Sequence, residues 1–362
     1  AAQACVPFAL PGVVREVPRM LLDPEGPLVV KWAGLGRTVP WVWRFVTEAR
    51  MGKIPARADA MKALYGTTHE LHEALAREAG VPELVQGSHY FYLYKRPEDV
   101  DVETGLAWRL RRERGATIEV FDGPVIRELE PAVSPVYRRA VRLGPIGRTT
   151  NPFRLTQAYA GLFRQMGGEL RKVAVTRLRP GTPQASVETG HVVDACAGDL
   201  RLLEPIGFTF PLIGERGYHV TFADPGVTLN HVCNDPSRHA AISMMETGLR
   251  VAGTEELGDP DAPATWRRAE VLERLVREML PTADLTRGSR WMGPRPGTPD
   301  SLPAVGPVPG HRNIFVAAGH GHLGLTGGPM TGRIVAALIA GERLNLDLAP
   351  YAAGRFSRRA AA

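Results

Sequence analysis

Residues 313–340 combine a short apolar segment, a glycine-rich run and a second apolar segment. The first segment, Asn313–Gly319 (NIFVAAG), predicts a buried strand, and Pro329–Ala340 predicts a helix because proline fits a first helical turn. Gly319, Gly321 and Gly324 stand in the run between them. Glycines let backbone amides approach a ligand closely, and the positive end of a helix stabilises negative charge. The segment therefore predicts an α/β unit whose turn either faces a ligand or serves tight packing.

The three glycines of this run formally match the G-x-G-x-x-G pattern of a dinucleotide-binding turn. Such a unit needs a second parallel strand after the helix, with an acidic residue at its end. Only about twenty residues follow Ala340; they contain no convincing buried strand, and Glu342 belongs to a polar turn. The pattern alone therefore does not predict a complete dinucleotide-binding unit at this place.

Length and charge narrow the class of protein. A chain of 362 residues, 44% of them hydrophobic, is long enough for two domains of roughly 100–200 residues each. Arginine supplies nearly all the basic charge behind the net +6, and the dense run Arg109–Arg114 is typical of a solvated helix face. Because no wide basic stripe with interleaved aromatic residues is present, nucleic-acid binding is not expected.

The number and spacing of the cysteines, together with the hydropathy of the sequence, indicate in which cellular compartment the chain is expected. Cys5, Cys196 and Cys233 are odd in number and far apart, so neither a disulfide framework nor a cysteine zinc site is expected, and a reducing cytoplasm fits. No apolar run approaches the roughly 18 residues of a membrane-spanning helix. Ala1–Leu10 lacks the basic and apolar regions of a signal peptide, so none is expected.

Periodicity and turn residues predict mixed secondary structure. Asn151 is a good N-cap, Pro152 fits the first helical turn, and Gly167 and Gly168 close the helix. A β-hairpin is predicted around Thr247-Gly248. The other predicted elements are helices at 57–80, 102–114, 122–129 and 263–280 and strands at 89–95, 169–178, 191–196 and 217–222. Helix–strand alternation beside antiparallel strands predicts an α/β domain together with an α+β domain.

Several sequence motifs occur together in a fixed order. They are NPFRL (Asn151–Leu155), GYHV (Gly217–Val220), ETGLRVAGTEE (Glu246–Glu256), RWMGPRPGTPDSLP (Arg290–Pro303) followed by GHGHLGLT, and the closing Arg355-Phe356. In these motifs the chain resembles the FAD-dependent D-amino-acid dehydrogenases and oxidases. The resemblance covers essentially the whole chain and is strongest from Arg216 onward.

The resemblance implies two interleaved domains. The first is an FAD-binding α/β domain formed by residues 1–15, 145–207 and 304–362. The second is an antiparallel-sheet substrate domain formed by residues 16–144 and 208–303. Members of the family open with a strand, a G-x-G-x-x-G turn, a helix and a second strand ending in Glu, which hold the FAD diphosphate and ribose. This N-terminal βαβ unit is expected to be missing, because Ala1–Cys5 resembles the loop that follows it. Ala195–Asp199 (ACAGD) also departs from the Ala-Gly-Ala-Trp-Ser-like turn of the family.

Three residues are expected at the substrate on the basis of the resemblance. Arg295 matches the carboxylate anchor, since a guanidinium offers a carboxylate two parallel donors; a surface salt bridge is the alternative. Tyr218 and His219 match a pocket-lining strand, with ordinary sheet packing as the alternative for Tyr218 and the opposite strand face for His219. No metal site is expected, because His320 and His322 have no third ligand nearby in the sequence.

The cofactor implied by the resemblance is FAD, contacted mainly through the backbone of the glycine-rich turn. Packing is the alternative role for Val173. The expected cofactor contacts are Gly319, His320, Gly321, His322, Leu323, Gly324, Leu325 and Thr326 in the turn, Val173 and Gly198 on the adenine side, and Gln3 in the N-terminal loop.

The implied reaction oxidises a D-amino acid to the imino acid by hydride transfer from Cα to flavin N5, and water then yields the 2-oxo acid. The GHGHLGLT form resembles the branch acting on D-proline-like or hydroxyproline-like substrates. The implied partners are the amino acid and an electron acceptor, a quinone or other carrier in a dehydrogenase or oxygen in an oxidase, with peripheral attachment to the inner face of the membrane left open. The alternatives are an FAD-free remnant or non-catalytic subunit, and a nicotinamide-dependent enzyme. The oligomeric state stays open.

Overall fold

The computed structural model describes residues 2–23, 26, 28–30, 35–179 and 189–357 of the chain. Within these residues the α-helices are α1 (Pro11–Leu22), α2 (Leu35–Glu48), α3 (Ile54–Tyr65), α4 (Thr68–Glu78), α5 (Leu106–Glu113), α6 (Gly123–Leu129), α7 (Pro152–Gln165), α8 (Arg267–Met279) and α9 (Gly324–Ala340). The strands are β1 (Leu28–Val30), β2 (Val85–Tyr94), β3 (Thr117–Asp122), β4 (Arg139–Thr149), β5 (Val192–Asp194), β6 (Ile213–Phe222), β7 (Val232–Asp235), β8 (Ala240–Met245), β9 (Gly248–Gly258), β10 (Gly288–Gly297), β11 (Ala304–Pro307) and β12 (Ile314–Ala318).

A large, mainly antiparallel sheet follows the order β10-β6-β9-β8-β7-β2-β4-β3, and β1 joins β9 in parallel. Helix α8 covers one face of this sheet, because its apolar residues recur at helical spacing and are buried against β6 and β9. Leu272, Val276 and Met279 share this core with Val220 and Phe222. The sheet is the framework on which the predicted substrate domain is built.

A smaller sheet of three strands follows the order β11-β12-β5, with β12 parallel to β5 and antiparallel to β11. Ile334 and Val335 of α9 pack against Val305 of β11 and the buried Tyr351. This α/β layer beside the antiparallel sheet confirms the predicted fold class. The predicted domain boundary at 145 falls inside β4, which continues in the large sheet to Thr149, and the division into domains stays a prediction.

The edge position of β10 explains how a strand can contain two prolines. Pro294 and Pro296 lack the amide hydrogen that a central strand needs for both of its neighbours. Within the part of the chain that the structure describes, strand β10 pairs with β6 alone, so one side of its backbone needs no partner strand. The proline-rich motif that carried the family resemblance is therefore the edge of the large sheet.

The structure bears out the predicted caps and turns at several places. The Asn151 side chain accepts a hydrogen bond from the Arg154 amide at 3.1 Å, as an N-cap does. Strands β8 and β9 form the predicted hairpin, with Met245 opposite Gly248. In both cases the signal is local. The Asn151 side chain accepts a hydrogen bond from an amide three residues later, and Gly248 allows the tight turn of the hairpin.

Three predicted elements differ from the structure. The predicted strand 169–178 has no regular structure, because its backbone pairs with no strand among the described residues. The single helix predicted over 57–80 is two helices, broken at Gly66 and Thr67, where the poor helix propensity of glycine favours a break. The last helix begins at Gly324, five residues before Pro329, so the predicted first-turn proline lies inside α9.

A histidine explains how α9 tolerates Pro329. Proline has no amide hydrogen for the carbonyl of Leu325, four residues earlier. His72 Nε2 lies 2.9 Å from that carbonyl oxygen and replaces the missing donor. Since a carbonyl only accepts, Nε2 carries the proton, and His72 Nδ1 accepts from the Tyr159 hydroxyl at 2.8 Å. Burial lowers the pKa of His72, which is consistent with this neutral form.

The sequence predicts no apolar run of membrane-spanning length, and this prediction is wrong for one segment. Among the described residues, Gly321–Ala340 is long and apolar enough to cross a membrane by length and composition. A core helix passes the same test, and α9 contributes Ile334 to the core of the small layer. Length and composition alone therefore do not identify α9 as a membrane-spanning helix.

The contact between His72 and α9 predicts a coupled effect on stability. His72→Phe leaves the Leu325 carbonyl without a donor, and we expect the free energy of unfolding to fall by about 1–3 kcal/mol. Pro329→Ala restores an amide hydrogen at that position, so it should recover part of the loss in the double variant. Urea denaturation of the four proteins measures this coupling; strictly additive effects would contradict it.

Candidate active site

A cavity of about 600 Å³ lies between the glycine-rich turn and the large sheet, within the usual range of ~300–1,000 Å³ for ligand sites. The turn 319–326 forms one wall and the end of β4, 146–149, forms another. Phe8 and His72 also line it, from the N-terminal segment and from α4. The apolar part of this lining is larger than its polar part, as is typical of a site for a flat organic group.

The glycine-rich turn has a backbone that favours glycine. Gly319 and Gly321 adopt φ angles of 81° and 54°, in the left-handed region. A Cβ at Gly319 would lie 2.8 Å from Thr298, whereas a Cβ at Gly321 would meet no atom within 4 Å. The turn continues through a 3-10 helix, Gly321–Leu323, directly into α9. The positive end of α9 is therefore presented next to the cavity.

Most of the predicted cofactor contacts lie together at this wall. His320, His322, Leu325 and Thr326 line the cavity, and their contact with FAD stays a prediction. The other members of the predicted set that line the cavity are Gly319, Gly321 and Leu323. Gly324 is the first residue of α9, at the same turn.

Of the remaining predicted cofactor residues, Val173 and Gly198 lie outside the cavity lining. Gly198 packs so closely against Pro296 that a Cβ would lie 2.9 Å from its ring, and the neighbouring Ala197 carbonyl accepts from the Gly319 amide at 3.0 Å. Gln3 belongs to the 3-10 helix Ala2–Cys5. Val173 lies in the irregular segment after α7 and is 71% exposed. Of these, Gly198 is the one joined to the glycine-rich turn by a neighbouring hydrogen bond.

At and near the cavity wall formed by β4, several buried polar atoms have no hydrogen-bond partner in the protein. The Nε and Nη1 atoms of Arg148, the hydroxyl of Thr149 and Nδ1 of His69 are buried and accept or donate no hydrogen bond. All three residues line the cavity. Buried polar atoms are normally satisfied, so these atoms are candidates for hydrogen bonds to a ligand in the cavity. Sequence reasoning missed these residues; the unpaired state of a side chain cannot be seen before the fold is known.

A cluster of charged residues lies where the cavity meets the large sheet, and two of its members, Glu215 and His322, line the cavity. Glu215 of β6 is buried, lines the cavity and stands directly opposite Arg295 of β10. Arg295 Nη1 lies 3.6 Å from Oε1 of Glu255 on β9. One atom of each of Glu215, Glu255 and His322 lies within 4.8 Å of the others. We call Glu215, Glu255, Arg295 and His322 the charged cluster.

Two glycines make room for the charged cluster on the sheet. The guanidinium of Arg295 lies over Gly217, where any Cβ would collide with it. The carboxylate of Glu215 lies against Gly297 in the same way. The two opposite charges are therefore held flat against the sheet, at the end of the cavity.

The charged cluster also bears on metal binding, which the sequence did not predict. The fold brings two carboxylates beside His322, the geometry of a possible cation site. Arg295 already places a positive charge 3.6 Å from Glu255 and disfavours a second cation there. The guanidinium is thus the counter-ion of these carboxylates.

Tyr218 and His219 occupy opposite faces of β6, as strand alternation requires. Tyr218 is fully buried in the core; its hydroxyl donates to Glu256 at 2.8 Å and accepts from the Thr265 amide at 2.8 Å. The structure therefore places Tyr218 away from the cavity, in the packing role that was its alternative. His219 shares the face of Glu215 and stacks on Trp291 at 4.7 Å, and burial lowers its pKa to about 4.

Comparisons with known proteins agree with this arrangement. A family model described as FAD dependent oxidoreductase matches residues 31–338. The chain belongs to this family. A D-amino-acid oxidase of Bradyrhizobium diazoefficiens is 33% identical, covering 98% of this chain and 87% of the relative. A D-amino acid dehydrogenase of Allorhizobium ampelinum is 25% identical, covering 97% and 87%.

Solved structures of this FAD-dependent oxidoreductase fold are also similar. Glycine oxidase from Geobacillus kaustophilus matches with a TM-score of 0.71 and 21% identity, covering 82% of this chain and 83% of that one. L-proline dehydrogenase from P. horikoshii matches with a TM-score of 0.69 and 20% identity, with the same coverage of 82% and 83%. At such identities the likeness shows a common fold.

The residues of the cavity fit the flavin of the FAD that this family uses. The backbone at Gly321 leaves open space for a flat ring, and α9 presents its positive end at that wall. Arg148 and Thr149 offer unpaired donors to ring or phosphate oxygens. These residues would hold the cofactor at the turn and at the end of β4.

The buried His320 predicts a pH-dependent stability. Burial lowers its pKa to about 4, below the ordinary value of 6.5. The unfolded chain therefore binds a proton at higher pH than the folded chain does, and the free energy of unfolding should fall as the pH drops from 6.5 to 4. We expect His320→Gln to remove part of this slope in denaturation curves recorded across that range. An unchanged slope would contradict the assignment.

The buried hydroxyl of Tyr218 predicts a loss of stability without a loss of ligand affinity. Tyr218→Phe leaves Glu256 and the Thr265 amide short of a partner, so unfolding should become easier by about 1–3 kcal/mol. Because Tyr218 lies outside the cavity lining, FAD affinity at a temperature where the variant is folded should match the wild type. If the folded variant bound FAD more weakly, or if its flavin responded more weakly to substrate, Tyr218 would have a role in the site.

Proposed function

We propose that the chain oxidises a D-amino acid, at its Cα–N bond, to the imino acid. The observation that carries the proposal is the guanidinium of Arg295, held over Gly217 beside the end of a cavity that fits a flavin. The names of the relatives, D-amino-acid oxidase and D-amino acid dehydrogenase, support the substrate class. An α-amino acid always offers a carboxylate, and a guanidinium binds it with two parallel hydrogen bonds.

The residues of the chain divide the work of binding. Arg295 holds the substrate carboxylate, which fixes the direction in which Cα points. The turn with Gly319 and Gly321 holds the flavin through its backbone, and the end of α9 stabilises negative charge there. Phe8 lines the cavity and makes an edge-to-face contact with His322, with 5.9 Å between the ring centres. Bound FAD supplies the electron acceptor for the hydride that leaves Cα.

D-Proline and hydroxyproline-like amino acids are the substrates that we propose to test first. The support is the GHGHLGLT sequence of the turn, which resembles the branch acting on such cyclic substrates. We further propose a quinone or another carrier as the electron acceptor, and a cytoplasmic location. Molecular oxygen as the acceptor would make the enzyme an oxidase, and oxygen consumption measures that alternative.

The first test is the visible spectrum of the purified protein with added FAD, before and after anaerobic addition of D-proline and a panel of D-amino acids. We expect flavin bands that stay with the protein on gel filtration and bleach with at least one D-amino acid. Bleaching with L-amino acids alone, or no retained flavin, would contradict the proposal.

Arg295→Met tests the carboxylate anchor. Hydrogen bonds to a charged group contribute about 1.5–3 kcal/mol, so the substrate concentration that half-bleaches the flavin should rise roughly 10- to 100-fold. Arg154→Met is the matched control, because Arg154 lies at the surface, paired with Glu246 and away from the cavity lining. If both variants needed the same substrate concentration to half-bleach the flavin, Arg295 would not be the carboxylate anchor.

A further inference from the structure

Glu215 has the features of a residue that works on the substrate, and it belongs to none of the motifs on which the site was first predicted. It is 4% exposed, yet it lines the cavity. A carboxylate in such a position normally has a partner, because burying an unpaired charge is costly. The guanidinium of Arg295, on the facing strand position, is one counter-charge.

The arrangement around Glu215 matches the two ends of an amino acid. Arg295 and Glu215 are cross-strand neighbours, and each lies against a glycine, Gly217 and Gly297 respectively. A guanidinium selects a carboxylate, and a carboxylate selects an ammonium group. One small zwitterion reaching the end of the cavity can therefore meet both charges at once. A site with the guanidinium alone would bind a simple carboxylic acid as well as an amino acid.

Resting on the proposed function, we propose that Glu215 is a catalytic residue that binds the substrate amino group and removes its proton. An N–H bond of the ammonium breaks, an O–H bond forms on the Glu215 carboxylate, and the electron pair stays on nitrogen. The neutral amine then has the electron pair that a C=N bond requires, and FAD, when bound, would accept the hydrogen of Cα together with its bonding pair. The ammonium form cannot do this, because its nitrogen has no free electron pair.

The surroundings adjust Glu215 for this role. Burial raises its pKa above the ordinary value, the nearby Glu255 raises it further, and Arg295 opposes both. The other group facing it is His322, whose own pKa is lowered by burial. A raised pKa makes the carboxylate a stronger base than a solvent-exposed glutamate. Bleaching of the flavin should therefore speed up as the pH rises through the pKa of Glu215, and Glu215→Gln should remove that rise.

A pair of ligands separates amine binding from carboxylate binding. D-Proline and cyclopentanecarboxylate share a five-membered ring and a carboxylate, but only D-proline carries the amine. Titrating each into the FAD-loaded protein, with the flavin spectrum as the signal, gives the two affinities. In Glu215→Gln we expect D-proline to bind at least ~10-fold more weakly, in line with the ~1.5–3 kcal/mol of a charged hydrogen bond, while cyclopentanecarboxylate binds as in the wild type.

Control variants keep the result interpretable. Glu246→Gln changes an exposed glutamate outside the cavity lining in the same way and should leave both affinities and the pH profile unchanged. Glu215→Asp keeps a carboxylate, so it should keep the rise with pH at a reduced rate, and it serves if the Gln variant does not fold. Bleaching that EDTA abolishes would show a metal ion at Glu215, Glu255 and His322 instead and would overturn the proposal.

The outcomes also separate this inference from the proposed function. If no D-amino acid bleaches the wild-type flavin, the proposed function fails. If D-proline or the best D-amino acid of the panel bleaches the wild type, while Glu215→Gln keeps the same pH profile and the same affinity ratio for the amine-bearing and amine-free ligands, the role of Glu215 alone is overturned.

Discussion

The pairing of β6 with β10 is the interaction on which the site depends. Their register sets Glu215 opposite Arg295. The guanidinium of Arg295 lies over Gly217, two residues after Glu215 on β6, and the carboxylate of Glu215 lies against Gly297, two residues after Arg295 on β10. A shift of one residue would turn every side chain to the other face of the sheet. The register therefore decides whether the two charges face the cavity or the core, and the edge position of β10 lets the proline-rich strand keep it.

The second requirement is a fixed beginning of α9. The helix starts within the glycine-rich turn, so its positive end is delivered to the cavity, but Pro329 removes one of its own hydrogen bonds. His72, oriented in turn by Tyr159, replaces that bond. A residue on α4 thus stabilises the first turns of α9 at the cavity wall, to which α4, the glycine-rich turn and the end of β4 all contribute.

Local signals in the sequence were sufficient for part of this architecture. The Asn151 cap and the hairpin at Thr247-Gly248 are decided within a few residues, and both are confirmed. The strand predicted at 169–178 needed a partner strand, and a local pattern does not provide one. The start of α9 was misplaced because the rule for proline at a first turn takes no account of a distant donor such as His72.

The candidate site shows the same division between local and distant information. The glycine-rich turn and Arg295 could be predicted from motifs, whereas Glu215 and Arg148 become visible only when the fold shows which buried polar groups face a cavity. Strand alternation predicted correctly that Tyr218 and His219 point to opposite sides, but it could not say which side is the core. That choice depends on α8, whose apolar face covers the even-numbered residues of β6.

Strand β6 carries charged residues on both of its faces, and their partners differ in a way that indicates their roles. On the core face, Arg216 donates to the carbonyls of Ala262 and Pro263, so protein atoms take the place of water. On the other face, Glu215 lines the cavity, with Arg295 opposite it on β10. A buried charge that protein atoms surround stabilises or specifies the fold, whereas one that borders a cavity keeps its capacity to bind. The same strand therefore carries a charged residue in the core on one face and a carboxylate at the cavity on the other.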